Sequence, residues 1–266
     1  MTKIVWDEIG EHLYETGVKN GVLYPMSTEE GTAGTYPEGY AWNGLTSVSE
    51  SPEGAEANDF YADDQKYLSV RGAEDFKGSI NAYTYPDEFA QCNGEAELAT
   101  GIVVNQQARK TFGLSYKTTV GNDVAGNDYG YKIHLVYGAT VSPSEKEYQT
   151  INDSPEPIEF SWEFETTPVN VPGLRSSALI TLNSKKVAPA KLGMIEAILY
   201  GVDEDDEFDA TKTYKVGDTV MYTDAPYVCT TAVTTAGAWS ADNWTEIEEP
   251  GPRLPLPAEL LEIAQA

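Results

Sequence analysis

The stretch 158–169, IEFSWEFETTPV, constrains the fold more than any other part of the chain. Ile158, Phe160, Trp162 and Phe164 alternate with Glu159, Ser161, Glu163 and Glu165. A period of two sends the apolar set to one face of a strand and the polar set to the other. One face can pack against a core. The other must look into water or across an aqueous space. Pro157 precedes the run and Pro168 closes it, as the ends of a strand allow. The rest of the chain reads as a sheet assembled around strands of this kind.

A length of 266 residues accommodates one large β domain, or a medium domain with a small one. The 17 tyrosines suit half-buried sheets and interfaces, because each has an apolar body and a polar tip. The formal charge is −26, from 43 acids against 17 bases. Such a surface argues against outside binding to DNA or RNA, and against anionic membranes. It fits either simple solubility or a surface that repels a polyanion. Cys92 and Cys229 are far apart and predict free thiols in a reducing compartment. The start, MTKIVWDEIGEH, lacks a signal-peptide layout, and no apolar run suggests a membrane anchor. The expectation is a protein made soluble in a cytoplasm.

Short alternating runs recur along the chain. Residues 40–49 (YAWNGLTSVS) read as one strand whose apolar phase slips at Gly44, suggesting a bulge. Residues 50–65 form a long acidic connection holding Glu53, Glu56, Asp59, Asp63 and Asp64, with Phe60 and Tyr61 near its tip. It reads as a solvated loop or as one that docks on a neighbour. Residues 110–118 and 129–137, joined by the turn GNDVAG, read as a β-hairpin. Pro189 opens the clearest helix, with Leu192, Ile195 and Leu199 on one side and Gly201 at its end. The predicted class is mainly β: an antiparallel sandwich or barrel with one flanking α-helix, plus a small inserted β module. An acidic linker, DEDDEFD at 203–209, precedes that module. The division is 1–206, completed by the tail 249–266, with the module at 207–248.

No catalytic constellation emerges. His12 and His134 are the only histidines, and neither has a second His or a Cys at metal-ligand spacing. His134, opposite the face of Ile133 and Leu135, reads as a polar-face residue. There is no Gly-rich phosphate loop and no Gly-x-Ser-x-Gly elbow. Carboxylate pairs abound, but among 43 acids no pair stands out for glycosidase chemistry. The expectation is a protein without catalytic residues, metal or cofactor.

Several stretches resemble the major tail protein, or tail tube protein, of bacteriophages with long non-contractile tails. They are 41–49 (AWNGLTSVS), 82–89 (AYTYPDEF), 109–123 (RKTFGLSYKTTVGND), 129–138 (YGYKIHLVYG), 154–169 (SPEPIEFSWEFETTPV), 196–201 (EAILYG) and 253–257 (RLPLP). The resemblance runs through nearly the whole chain outside the module. It implies a structural virion protein, made in the host bacterial cytoplasm, whose hexameric rings stack into a tube. Tape-measure and terminator proteins are the further partners it implies. DNA would pass through during ejection without tight binding. On this reading Glu159, Glu163 and Glu165 form an acidic lumen face. The same three residues also fit an outward solvated face. The 50–65 connection is the candidate for contacts between subunits.

The inserted segment resembles a different family, the small chitin-type carbohydrate-binding modules. The carriers are Tyr214, Val216, Gly217, Asp218, Val220, Tyr222, Tyr227, Trp239 and Trp244. The resemblance implies a compact aromatic core with exposed rings that stack on sugars, and a host-surface glycan as partner. Trp239, Tyr227 and Trp244 are the sugar-stacking candidates, with Trp239 the best placed for exposure in its small-residue loop. On the plainer reading Tyr214, Tyr222, Tyr227 and Trp244 form the packed core. The alternative reading of the whole chain is a carbohydrate-binding or adhesion protein in which this module is the functional part.

Overall fold

The computed structural model describes residues 4–54, 57–70, 72, 74–151, 153 and 156–265. The first strands are β1 (Tyr14–Pro25), β2 (Tyr40–Trp42), β3 (Leu45–Gly54), β4 (Asn58–Ala62), β5 (Gln65–Val70) and β6 (Glu74–Ala82). A short helix α1 (Phe89–Cys92) precedes β7 (Ala96–Ala99), β8 (Ile102–Val104), β9 (Phe112–Asn122), β10 (Gly126–Val141), β11 (Phe160–Thr166) and β12 (Leu179–Asn183). Then come α2 (Pro189–Tyr200), β13 (Thr219–Tyr222), β14 (Ala225–Cys229), β15 (Trp244–Glu246) and α3 (Pro257–Gln265). The fold is mainly antiparallel β with flanking helices and small extra sheets, as its patterning predicts.

The main sheet runs β2-β1-β9-β10-β11-β6-β3, with β12 also on β10. β10 serves two halves of this sheet. Lys132–Val136 pair with β12, and Ala139–Val141 pair with β11. Between them the register with β9 shifts, and Gly138 takes φ 63°. A Cβ on Gly138 would sit 2.2 Å from the Thr167 carbonyl oxygen. A bulge here bends the strand, so the sheet folds over onto itself.

β2 and β3 stand at opposite ends of the strand order, yet only Asn43 and Gly44 join them. So short a link draws the two ends together and gives the sandwich its barrel character. Gly44 takes φ 76°, open to glycine without penalty. The apolar phase slip at 40–49 therefore marks a corner where the chain changes partners. It is not a bulge within one strand.

The interior holds Leu23, Trp42, Ile80, Phe89, Phe112, Leu114, Val136, Trp162 and Phe164. Trp162 is fully buried, with the rings of Trp42, Tyr85, Phe89 and Phe160 around it. β11 thus obeys its period of two: Trp162 and Phe164 point inward, and Ser161, Glu163 and Glu165 are exposed. Its pairing begins at Phe160, and Ile158 lies outside it, 37% exposed.

A second core forms on the outer face of β1, β9 and β10. Val22, Tyr24, Ile133, Leu135 and Tyr137 meet Leu192, Ile195 and Leu199 of α2, and Leu254 and Leu260 near the C-terminus. α2 starts with Pro189 and ends at Gly201, φ 85°, whose N–H donates to the Ala197 carbonyl. Because β10 is covered on both faces, His134 is not on an open polar face. It is 8% exposed and stacks on Tyr116.

The acidic connection at 50–65 is a ribbon rather than a loop. β3 and β6 pair as far as Gly54 and Glu74. β4 and β5 then pair with each other from Asn58 and Val70 to Ala62 and Gln65. Asp63 and Asp64 form the turn, with φ 50° and 58°. Asp tolerates that left-handed conformation, and two such residues make the primed turn a hairpin favours. Polar composition hid these strands, because no core face imposes an apolar alternation on a ribbon exposed on both sides.

Candidate functional site

Three surfaces stand out. The first is the outer face of β3, β6, β11 and the last part of β10. Its side chains form rows across the strands: Ser47, Asn81 and Ser161; then Ser49, Ser79 and Glu163; then Ser51, Lys77, Glu165 and Thr140. Asn81 donates to Ser47 Oγ at 2.9 Å. Thr46 donates to Glu159, just ahead of β11. The sole cation in these rows, Lys77, lies 3.1 Å from Glu53 and 3.2 Å from Glu165. Glu53, then Glu165, hold the Lys77 ammonium above the usual lysine range. Glu159, Glu163 and Glu165 therefore share this hydroxyl-rich wall, together with serines that sequence reading did not single out. Their register is visible only once β3 and β6 are paired to β11. The helices α2 and α3 pack on the other half of the sheet, leaving this wall without a helical cover.

Behind the wall lies a polar cluster that periodicity could not reveal. Tyr116 donates its hydroxyl to Glu50. His134 Nδ1 lies 3.1 Å from the same Glu50 oxygen. On the other side, His134 Nε2 is 3.0 Å from Thr118 Oγ1 and 3.5 Å from Glu15, which also pairs with Lys132. His134 outweighs the effect of burial and holds the Glu50 carboxyl below the usual range. Burial, then Glu50, pushes the Tyr116 phenol up. The cluster reads as a pin between β3, β9 and β10.

The second surface consists of two hairpins. In β4–β5, Phe60, Tyr61, Tyr67, Leu68 and Val70 are exposed. Asp59 pairs with Lys66 at 2.8 Å, whereas Asp63 and Asp64 at the turn form no ion pair among the described residues. Glu53 lies back on the β3–β6 ladder, and Glu56 lies outside the described residues. In β7–β8, Leu98, Ile102, Val103 and Val104 are exposed. A lone two-stranded ribbon with apolar side chains in water is marginal by itself, so both hairpins are suited to a partner.

The third surface is the small sheet β13-β14-β15. Tyr214, Val220, Cys229 and Trp244 form its core, with Phe208, Tyr227, Val233 and Trp239 against it. Trp239 lies flat on Tyr222, centroids 3.9 Å apart and planes 6° apart. It also runs parallel to Trp244 at 5.1 Å, and Phe208 and Tyr227 meet it edge-on. Trp244 is only 6% exposed, so its ring is a packing element and is not open to stack on a sugar. Trp239 and Tyr227 are half-buried. Tyr222, which sequence reading placed in the core, is half-buried too and completes the aromatic face.

This unit is seated on α2. Ala197 and Ile198 pack against Val228 and Ile247. A Cβ on Gly193 would fall 2.3 Å from the Gly217 carbonyl oxygen, and one on Gly251 1.8 Å from the Ile198 carbonyl oxygen. Gly251 and Arg253 donate backbone hydrogen bonds to Ala197 and Ile198. Glycine lets the two backbones touch directly.

Residues 25–213 match the family model described as phage tail tube protein. Residues 207–252 match carbohydrate-binding module family 5/12. Among solved structures, the chain is similar to one in the PVC sheath–tube complex of an extracellular contractile injection system in its extended state. That similarity has 12% identity and a TM-score of 0.32, covering 67% of this chain and 94% of that one. The PVC sheath/tube terminator in the extended state is similar at 10% identity and a TM-score of 0.29, covering 68% and 99%. No curated protein matches.

Proposed function

Because this chain belongs to the phage tail tube protein family, we propose that its copies close into hexameric rings that stack into a hollow tube for DNA ejection. The wall of β3, β6, β11 and the end of β10 faces the lumen. The observation that carries this reading is the composition of that wall: serines, threonine, asparagine and glutamates, with its one lysine held between two carboxylates. Phosphates sliding past such a surface meet hydroxyls and like charge. A basic wall would retain them in a salt-sensitive way. The protein acts in the virion tail as a structural element, without catalytic residues, and its further partners are tape-measure and terminator proteins.

The module is a separate body at 207–248 that faces outward. Its seat on α2 supports this, since α2 covers the half of the sheet away from the wall. Negative-stain electron microscopy of concentrated protein tests the reading. Rings or hollow tubes are expected, with DNA-sized lumens. Protein that stays monomeric even with other tail components would overturn it.

A second reading, carbohydrate binding, draws on the module match and on the Tyr222–Trp239 pair. Stacked rings offer a flat apolar face to the C–H side of a sugar. It is compatible with the first: a tube can carry a glycan-binding decoration. Retention on chitin beads tests it.

A further inference from the structure

The chain carries net charge −26, yet one groove on it is locally basic. Lys19, Asn127, Asp128, Tyr129, Tyr131 and Lys185 line it, together with Pro189 and Leu192, around a volume of about 390 Å³. Lys185 Nζ sits 4.9 Å above the Tyr129 ring centroid. Neither Lys19 nor Lys185 has a carboxylate partner among the described residues, whereas Lys66, Lys77, Lys117, Lys132, Lys146 and Arg253 each do. In so acidic a chain, two unneutralised lysines beside two tyrosines form a receptor for an anionic, aromatic group.

The chain itself presents that group. Asp63 and Asp64, at the turn of β4–β5, form no ion pair among the described residues, and exposed Phe60, Tyr61 and Tyr67 lie directly behind them. Within one chain the two features do not meet. We propose that the groove of Lys19, Tyr129, Tyr131 and Lys185 receives the acidic, aromatic tip of the β4–β5 hairpin from a second copy of this chain. The proposal rests on the tube reading and deepens it by naming donor and receptor. Charge complementarity fixes the register: two carboxylates enter where two ammonium groups outnumber Asp128, and aromatic rings follow onto the tyrosines.

A double-mutant cycle on assembly tests it. Lys19→Glu with Lys185→Glu puts like charges opposite, and should raise the protein concentration needed for assembly by roughly tenfold or more. Asp63→Asn with Asp64→Asn keeps the left-handed turn but removes its charge, and should weaken assembly less. The tip variant in the groove-variant background should assemble better than the groove variant alone, because the repulsion is gone. All four residues are exposed, and unchanged thermal melting confirms that the subunit still folds.

The occupant is checked by cross-linking Tyr61→Cys in one copy to Tyr129→Cys in another, which is practicable because Cys92 and Cys229 are buried. Cross-linked dimers are expected on assembly. Wild-type protein that assembles while the variants behave additively, or without an inter-copy cross-link, overturns the docking and leaves the tube reading intact. Groove variants that abolish assembly while tip variants do nothing place another segment in the groove and also overturn it. Wild-type protein that never assembles sinks the tube reading itself, and the docking with it.

Discussion

Tyr116 and His134 lie ring on ring, their centroids 4.7 Å apart and their planes within 2°. Both converge on Glu50, so one carboxylate ties the terminal strand β3 to β9 and β10. Glu50 is held below the usual glutamate range, chiefly by His134. A carboxylate whose folded pKa is depressed contributes stability that is fully present above its unfolded pKa. That contribution is lost as pH falls through the folded value. The subunit should therefore lose stability as pH drops below about 4.3, the ordinary glutamate value. Glu50→Gln should be less stable at pH 7 and show a flatter acid dependence. Thermal melts of both proteins from pH 7 to 3 check this; parallel curves would remove Glu50 from the role.

Trp162 is the largest of the fully buried side chains. Trp162→Ala would leave a void among Trp42, Tyr85, Phe89 and Phe160. A truncation of that kind costs about 3–5 kcal/mol. Urea unfolding should show that loss. A change below about 1 kcal/mol, within the range of a tolerated repacking, would mean that the aromatic cluster does not hold the two halves of the sheet together.

The contrast between β11 and β4–β5 shows what the sequence could disclose. β11 sits between a core and water, so burial imposed a strict alternation that survives in the letters. β4–β5 has no core face in the single chain, so its alternation carries no hydrophobic signal, and only Asp63-Asp64 marks its turn. β2 and β3 were legible as strand but not as two strands. The two-residue corner at Asn43-Gly44 looks, in sequence, like a slip of phase. The wall residues behave likewise. Glu163 and Glu165 on β11, with Glu159 just ahead of it, were visible in their own segment, whereas Ser47, Ser49 and Ser79 gain meaning only from cross-strand register. The Glu50, Tyr116 and His134 cluster needed three dimensions, because its members lie on three strands with no common motif.

Gly193 and Gly251 set how closely the module and the segment that follows it sit on α2. Gly193→Ala would drive a methyl group toward the Gly217 carbonyl oxygen, and Gly251→Ala toward that of Ile198. Both neighbours are backbone and cannot step aside, so each change should cost about 1–3 kcal/mol. Limited proteolysis should then cut sooner in the acidic stretch 203–209. Cutting at the wild-type rate in both variants would show that the seat on α2 does not depend on this close approach.

Glu163 occupies the middle of the wall, across from Ser79 and Ser49, with no cation beside it among the described residues. Its side chain is exposed and contributes nothing to the interior, so Glu163→Lys should leave folding and tube assembly unchanged. If the wall faces the lumen as proposed, what changes is the field inside the channel. Each copy trades a negative for a positive charge, and a ring of copies would repeat the change around the channel. Phosphates would then be held by a salt-sensitive attraction where they previously slid. DNA ejection from particles carrying Glu163→Lys should be slower at low salt and recover as salt rises. Ser79→Lys, one strand away on the same row, should act in the same sense. Arg175, exposed and outside the wall, supplies the control: Arg175→Glu should leave ejection unaltered. Ejection at wild-type speed in both wall variants, across salt concentrations, would turn this face of the sheet away from the lumen.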